Sequence, residues 1–165
     1  MISRRITTLA SSAGLVLLGA ASLAARPAAV KWPPWLSIES PVNPFDPATR
    51  GAVLLVHAIT REGPPAVSAL TASAEGIVNG ARRTIPLRLD TTPVPGVFAV
   101  RRQWPAEGTW LLRVSMQNTT AIVSLAGDGR VDGIRVPTQH ASGVDLPRAV
   151  SAKEIDSTLS AAARR

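Results

Sequence analysis

The sequence predicts an all-β fold, an antiparallel β-sandwich of about seven or eight short strands followed by one short C-terminal helix. Two patterns indicate this architecture. Residues 96–116 alternate in side-chain character with a period of two on both sides of a turn that contains Pro105 and Gly108, which is the pattern of strands. Asn79 and Gly80 form the dipeptide that a type I′ hairpin turn requires, because both of its central residues take a positive φ.

The stretch 96–116 is interpreted as two strands joined by a tight polar turn. It contains two of the four Trp and one of the two Phe. Because aromatic residues make up only 4% of the chain, these large side chains are expected where the core is. We therefore expect Trp110 to be buried between the two sheets.

The Asn79-Gly80 turn also predicts a register, with Val78 opposite Ala81. That register places most apolar side chains on one face of the hairpin and most polar ones on the other, which supports it independently. The apolar face contains Leu70, Ala72, Ala74, Val78, Ile85, Leu87 and Leu89. Pro86 cannot donate a hydrogen bond to a neighbouring strand, which favours either an edge position or a bulge for the second strand.

The remaining strands follow from shorter patterns. Residues 36–40 are a candidate first strand, and residues 120–136 form another hairpin around an Asp-Gly turn. Residues 52–60 are apolar on both faces, which predicts a central strand. His57 lies in this strand, and we expect it to be a hydrogen-bonded core residue rather than a ligand.

The C-terminal tail, residues 137–165, is expected to be irregular except for one helix. Ser151 and Glu154 have the spacing of a capping box, in which each side chain bonds the backbone N–H of the other residue. Apolar residues follow at helical spacing, which predicts a helix over residues 152–163. Its apolar stripe is thin, so the alternatives are weak docking and docking only when a partner is present.

The N-terminal residues 1–24 have the pattern of a signal peptide, with two arginines ahead of an apolar run, residues 13–23, that ends in small residues. A run of this length is short for spanning a bilayer. We therefore expect cleavage and export to the periplasm or the extracellular space, with a retained N-terminal anchor as the alternative. A Pro-rich linker, residues 25–34, leads to the β-sandwich domain, residues 35–136.

The chain is basic, with a formal net charge of +7, and nearly all of its basic residues are arginines. They are spread as singles and pairs rather than in a long run, which argues against nucleic acid as a partner. The chain has no Cys. This excludes disulfides, thiolate metal sites and a Cys nucleophile.

One stretch of the sandwich carries a motif with a glycine–aromatic strand, a Pro/Gly turn and a Gly-x-Trp-x-Leu-x-Val strand. Its residues are Pro95, Gly96, Phe98, Trp104, Pro105, Gly108, Trp110, Leu112 and Val114. The motif resembles bacterial exported proteins of the YtkA-like and FixH-like group. The resemblance implies an immunoglobulin-like sandwich and a role in copper handling or beside respiratory enzymes. Copper handling would require clustered Met and His, whereas Met116, His57 and His140 are far apart in the sequence.

The sequence contains no recognisable catalytic constellation. A Gly-x-Ser-x-Gly elbow is absent, no glycine-rich loop opens a helix, and no carboxylate pair can be identified for glycosidase chemistry. Asp128 and Asp132 alternate with glycines in a pattern typical of a hairpin turn rather than of a calcium loop. We expect a protein that is not an enzyme, with no catalytic or metal-binding residues and no cofactor.

The expected function is non-enzymatic binding or an accessory role at the cell envelope, with an envelope protein or an acidic envelope polymer as partner. The alternative is a periplasmic accessory protein that carries a metal or another ligand, of the copper-handling or respiratory-assembly type. Membrane contact is expected only through an uncleaved signal segment. Arginine forks and exposed Trp suit acidic or planar partners. The candidate partner-binding residues are Arg82, Arg88, Arg101, Arg102, Trp32 and Trp35, and packing against the domain is the alternative for the two Trp.

Overall fold

A computed structural model describes residues 33–164, and within this range the chain forms strands and one α-helix. The strands are β1 (Trp35–Glu39), β2 (Ala52–Ile59), β3 (Leu70–Val78), β4 (Ala81–Pro86), β5 (Asp90–Thr91), β6 (Val97–Arg101), β7 (Thr109–Met116), β8 (Thr119–Leu125), β9 (Val131–Arg135), β10 (Thr138–Ala141) and β11 (Val144–Pro147). The helix is α1 (Ala152–Ala162). The prediction of a mostly β chain with one C-terminal helix is confirmed. The expected signal peptide, and the linker up to Trp32, lie outside the described residues.

Every strand pair is antiparallel, and the strands form two larger sheets and one separate hairpin. The four-stranded sheet has the order β1-β2-β6-β5, and the five-stranded sheet has the order β4-β3-β7-β8-β9. The hairpin pairs β10 with β11. Strand β2 lies inside its sheet, as its apolar sequence predicted. Strand β4 lies at an edge, which is one of the two alternatives that Pro86 predicted.

The two larger sheets share one hydrophobic core. Its buried members are Leu36, Leu54, Val56, Ala58, Leu70, Ala74, Leu87, Phe98, Val100, Trp104, Trp110, Leu112, Val114, Met116, Ala121, Val123 and Leu125. In β2, β6, β7 and β8 these residues recur at every second position, because alternate side chains of a strand point to opposite faces of its sheet. Trp110 is only 3% exposed, and its indole Nε1 donates a hydrogen bond of 2.8 Å to the carbonyl oxygen of Glu107. Its predicted burial is confirmed.

The hairpin of β3 and β4 has the predicted register, with Val78 opposite Ala81. Asn79 and Gly80 form its turn, and their φ values are 51° and 77°. Both positive angles match the type I′ turn expected from this dipeptide.

The two strands of the stretch 96–116 are not partners, contrary to the expectation of a tight turn between them. Strand β6 belongs to the four-stranded sheet and β7 to the five-stranded sheet. The connection between them crosses from one sheet to the other and carries the buried Trp104. Arg102 bonds the carbonyl oxygens of Trp104 and Pro105 and so supports this crossing. Alternation identified the strands correctly, but it contains no information about which strand lies beside them.

Residues 137–148, which were expected to be irregular, contain the hairpin of β10 and β11. Ser142 and Gly143 lie at its turn with φ values of 52° and 79°. Its strands have four residues each and are largely exposed, so they lack the apolar alternation that identifies longer strands. Short strands of this kind, together with β5, raise the number above the seven or eight expected.

The helix α1 begins with the predicted capping box: the Ser151 hydroxyl accepts from the Glu154 amide, and the Glu154 carboxylate accepts from the Ser151 amide. Ile155 and Leu159 are buried on its inner side, and α1 contacts β3 and β7 of the five-stranded sheet. The helix therefore docks on the outer face of that sheet despite its thin apolar stripe. Within residues 33–164, no helix has the length and apolarity needed to cross a bilayer.

Candidate functional site

In residues 33–164 the one α-helix packs on the five-stranded sheet, and we call the outer face of the four-stranded sheet, which this helix does not cover, the open face. A row of four residues in register crosses it, one from each strand: Glu39, Leu55, Ala99 and Asp90. Leu55 and Ala99, in the middle of the row, are buried. The two carboxylates at the ends of the row are partly exposed, and each forms an ion pair with a neighbouring basic side chain.

The first pair joins His57 to Glu39, with 2.8 Å between Nε2 of the imidazole and Oε2 of the carboxylate. The side chains are 40% and 44% exposed, respectively. The expectation that His57 is hydrogen-bonded is confirmed, but the expectation that it lies in the core is wrong. The side chains of Leu54 and Val56 point into the core. Because side chains alternate along a strand, the side chain of His57, one position after Val56, points to the outer face of the sheet.

The second group is centred on Asp90, which forms ion pairs with Arg101 and Arg88. The distance from Nε of Arg88 to the Asp90 carboxylate is 3.5 Å. The Gln103 side chain fixes the backbone at Arg88, because its amide oxygen accepts from the Arg88 N–H and its amide nitrogen donates to the Arg88 carbonyl, both at 2.9 Å. Arg101 also donates to the carbonyl oxygen of Arg50. The fold thus brings two of the predicted arginines together on the open face.

Arg82 lies on the other sheet, beside the helix, and its side chain is partly exposed. Its guanidinium is 3.1 Å from the carboxylate of Glu75 and 3.0 Å from that of Asp156 in α1. Glu75 is buried and accepts further hydrogen bonds from the hydroxyl groups of Ser73 and Thr84. Arg82 therefore links strand β3 to the helix that covers it.

Arg102 is occupied by the crossing between the sheets, as its two carbonyl partners indicate. It also lies close to the β8–β9 turn, since a β-carbon added to Gly129 would be 3.0 Å from one of its guanidinium nitrogens. The four arginines predicted as one group thus occupy three separate places. Their role in partner binding stays a prediction.

Trp35 lies on the open face at the start of the edge strand β1, directly opposite Ile59 at the end of β2. The two residues are 59% and 53% exposed. Trp32, the second predicted aromatic contact, lies outside the described residues. Ile59 was not predicted as a surface residue, because its strand is apolar on both faces. Only one feature of the sequence indicates its exposure: Ile59 lies two residues after His57, so the two side chains are on the same face of the strand.

The charge of the described chain is far lower than that of the whole sequence. Residues 33–164 contain 13 basic and 11 acidic residues, which gives 13 − 11 = +2. The rest of the net charge of +7 comes from Arg4, Arg5, Arg26, Lys31 and Arg165, all in the terminal segments. The basic composition is therefore mainly a property of the termini.

The possible metal-ligating side chains do not converge in the described part of the chain. No group of three or more His, Cys, Asp or Glu residues is arranged to hold a metal ion there. His57 lies on the open face, His140 pairs with Asp145 across the β10–β11 hairpin, and Met116 is buried in the core. The residues that a copper site would use are thus distributed over three parts of the fold.

Comparisons with known proteins add no relative to this description. No protein-family model, no curated protein and no solved structure matches the chain. The resemblance to YtkA-like and FixH-like proteins accordingly stays a prediction that rests on the motif in residues 95–114.

Proposed function

We propose that the chain is an exported immunoglobulin-like β-sandwich that acts without catalysis as a protein-binding or accessory domain at the cell envelope. Two antiparallel sheets with a common core support the sandwich, and the signal-like sequence of residues 1–24 supports export. The observation that carries the binding function is the open face. The equivalent face of the five-stranded sheet has the helix α1 packed on it.

The composition of the open face favours a protein partner over an acidic polymer. Its charged groups form acid–base pairs, His57 with Glu39 and Arg101 with Asp90, around a buried apolar centre. Such mixed charge offers complementary contacts of both signs to a protein surface and helps to fix the register of binding. A polyanion would require unpaired cations, whereas these arginines already have carboxylate partners and the described residues carry little net charge.

Site-specific photo-crosslinking in cells that produce the full chain tests this function. A photoreactive residue at Ser37, which lies opposite His57 on the open face, is expected to give a discrete crosslinked protein. The matched control is Gln139, an exposed strand residue of the β10–β11 hairpin. Charge reversal of Asp90 is expected to weaken the crosslink from Ser37. Equal labelling from Ser37 and Gln139 would contradict the proposal.

The second candidate is the accessory metal carrier, and one observation favours it. The His57 imidazole and the Glu39 carboxylate lie side by side and partly exposed, so together they offer two ligand groups that a partner or a small ligand could supplement. Calorimetric titration of the purified chain with copper and zinc distinguishes the candidates. Stoichiometric micromolar binding that is lost in His57→Ala would favour the carrier, and heat unchanged by that substitution would reject it.

A further inference from the structure

Strands β1, β2 and β6 each begin or end at the same end of the four-stranded sheet. Trp35, at the start of β1, lies opposite Ile59, at the end of β2. His57 lies opposite Val97, so β6 starts at this end as well. The β2–β3 connection, residues 60–69, and the β5–β6 turn, residues 92–96, therefore leave the sheet at the same end.

This end is apolar and exposed. It carries Trp35, Ile59, Val67 and Val94, which are four of the seven large hydrophobic residues exposed in the described range. Val67 and Val94 line a common pocket with three prolines, Pro64, Pro65 and Pro95. We call this group of residues the apolar end. Exposed apolar side chains that cluster in this way mark an interaction site more often than scattered ones do.

The N-terminal segment joins the domain at the apolar end. The carbonyl oxygen of Pro34 accepts a hydrogen bond of 2.8 Å from the hydroxyl of Thr119, which is fully buried at the start of β8. This bond fixes the backbone one residue before Trp35. The residues that precede it in sequence include the apolar run 13–23 and, after it, the basic residues Arg26 and Lys31.

We propose that the apolar end contacts the surface of a phospholipid bilayer. The apolar run 13–23 is separated from Pro33 by residues 24–32 alone, a stretch that reaches about 30 Å at most when fully extended. If the run is retained as a membrane anchor, which is the alternative to cleavage, this short linker keeps the apolar end close to the lipid. Trp residues favour the interface between headgroups and acyl chains, where an apolar ring with one polar N–H is well accommodated.

Charge complementarity points to the same occupant. Arg26 and Lys31 follow the apolar run in the sequence, whereas the β2–β3 connection at this end carries both Arg61 and Glu62, so the excess of basic charge comes from the linker. Basic groups beside an apolar surface attract the phosphates of anionic lipids. Because the strands run away from the apolar end, the open face points sideways from the bilayer and stays accessible to a protein partner. The inference rests on the proposed export and on retention of the apolar run as an anchor instead of its cleavage, since both are required to hold the chain at the envelope membrane.

The absence of Cys permits single-cysteine labelling of the full chain. An environment-sensitive fluorophore at Val94→Cys or Val67→Cys is compared with one at Phe45→Cys in vesicles of phosphatidylcholine and phosphatidylglycerol. Phe45 is a matched control, because it is 87% exposed and lies in the β1–β2 connection at the opposite end of the sheet. Lipids with a quencher in the acyl chain are expected to quench positions 94 and 67 at least about twofold more strongly than position 45.

A second variant tests whether the apolar end itself makes the contact. Trp35→Ser together with Ile59→Ser, in the Val94→Cys chain, is expected to reduce the quenching to the level of position 45, with an unchanged circular dichroism spectrum as the check on folding. Equal quenching at positions 94 and 45, or quenching that survives both serines, would overturn the proposal. A protein crosslink from Val94 in cells without vesicle quenching would assign the apolar end to a protein instead. The Ser37 crosslink and the export of the chain are measured in separate experiments. Their failure would count against the proposed function, whereas the absence of quenching in vesicles would count against the bilayer contact.

Discussion

Gly76 lies opposite Trp110 on the neighbouring strand, and the indole ring occupies the space that a side chain at position 76 would fill. A β-carbon built on Gly76 would be 2.6 Å from Cδ2 of Trp110 and closer still to two other ring atoms. Glycine inside a strand often marks such a close approach. The core position of Trp110 therefore depends on the lack of a side chain on β3.

We expect Gly76→Ala to lower the free energy of unfolding by about 1–3 kcal/mol, the usual range for overpacking a core. Trp110→Ala is expected to cost about 3–5 kcal/mol through the cavity that it leaves. The double variant should lose less than the sum, because the clash disappears with the ring. Urea denaturation of the three variants measures these values, with Gly127→Ala, where an added β-carbon meets no atom within 4 Å, as the control. Additive losses would contradict the packing described.

The contrast between these two residues illustrates how much of the fold can be predicted from the sequence. The burial of Trp110 follows from alternation along its own strand, and the β3–β4 register follows from a local turn. The pairing of β7 with β3 rather than with β6 depends on the crossing of residues 102–108 between sheets. No local pattern encodes that crossing, because the partner of a strand is decided by the packing of the whole core.

The β3–β4 turn depends on glycine at position 80 for conformational rather than steric reasons. Gly80 has a φ of 77°, but no atom lies within 4 Å of the β-carbon that an alanine would add. We expect Gly80→Ala to cost about 1–2 kcal/mol, the penalty for a left-handed conformation in a residue with a side chain. Gly133→Ala is the matched control, since its surroundings are equally open and its φ lies outside the left-handed region. Equal midpoints in thermal unfolding would argue against a type I′ turn in solution.

The link between strand β3 and the helix predicts unequal roles for two adjacent arginines. Arg82→Met removes a guanidinium partner of the buried Glu75 and detaches Asp156 of α1. We expect a loss of about 1–3 kcal/mol in the free energy of unfolding, the range for a buried polar group that loses a partner. Arg83→Met, at the next and exposed position, should change it by less than about 0.5 kcal/mol. Similar losses in both variants, measured by urea denaturation, would show that Arg82 does not hold the helix.

The candidate site was less predictable than the fold, and the arginines illustrate why. Arg101 and Arg88 meet because Asp90 lies between them, on a strand of two residues that no pattern identifies. Arg82 is taken up by Asp156, about seventy residues later in the chain, because α1 returns to the five-stranded sheet. Long-range partners of this kind decide which cations remain on the surface, and they become apparent only when the elements are packed.

The attachment of α1 is expected to depend on pH through Glu154. The pKa of the Glu154 carboxyl is lowered to about 2 from its ordinary value of 4.5. The main cause is the hydrogen bond from the Arg148 guanidinium, and the second is the hydrogen bond from the Ser151 backbone N–H. Because the pKa is lower in the folded chain than in the unfolded one, the carboxylate contributes stability above about pH 4.5. This contribution is lost progressively as the pH falls from there towards 2.

We therefore expect the urea concentration at the midpoint of unfolding to decrease as the pH is lowered from about 4.5 towards 2. The decrease should be less steep in Glu154→Gln, which has no titrating carboxyl at this position. Glu107→Gln, in the exposed loop before β7, is the control for the loss of a carboxylate outside the helix cap. Ser151→Ala should lower the midpoint at all pH values, because the hydroxyl that caps the Glu154 amide does not titrate. A Glu154→Gln chain with the same pH slope as the parent would mean that the Arg148–Glu154 pair does not form in solution.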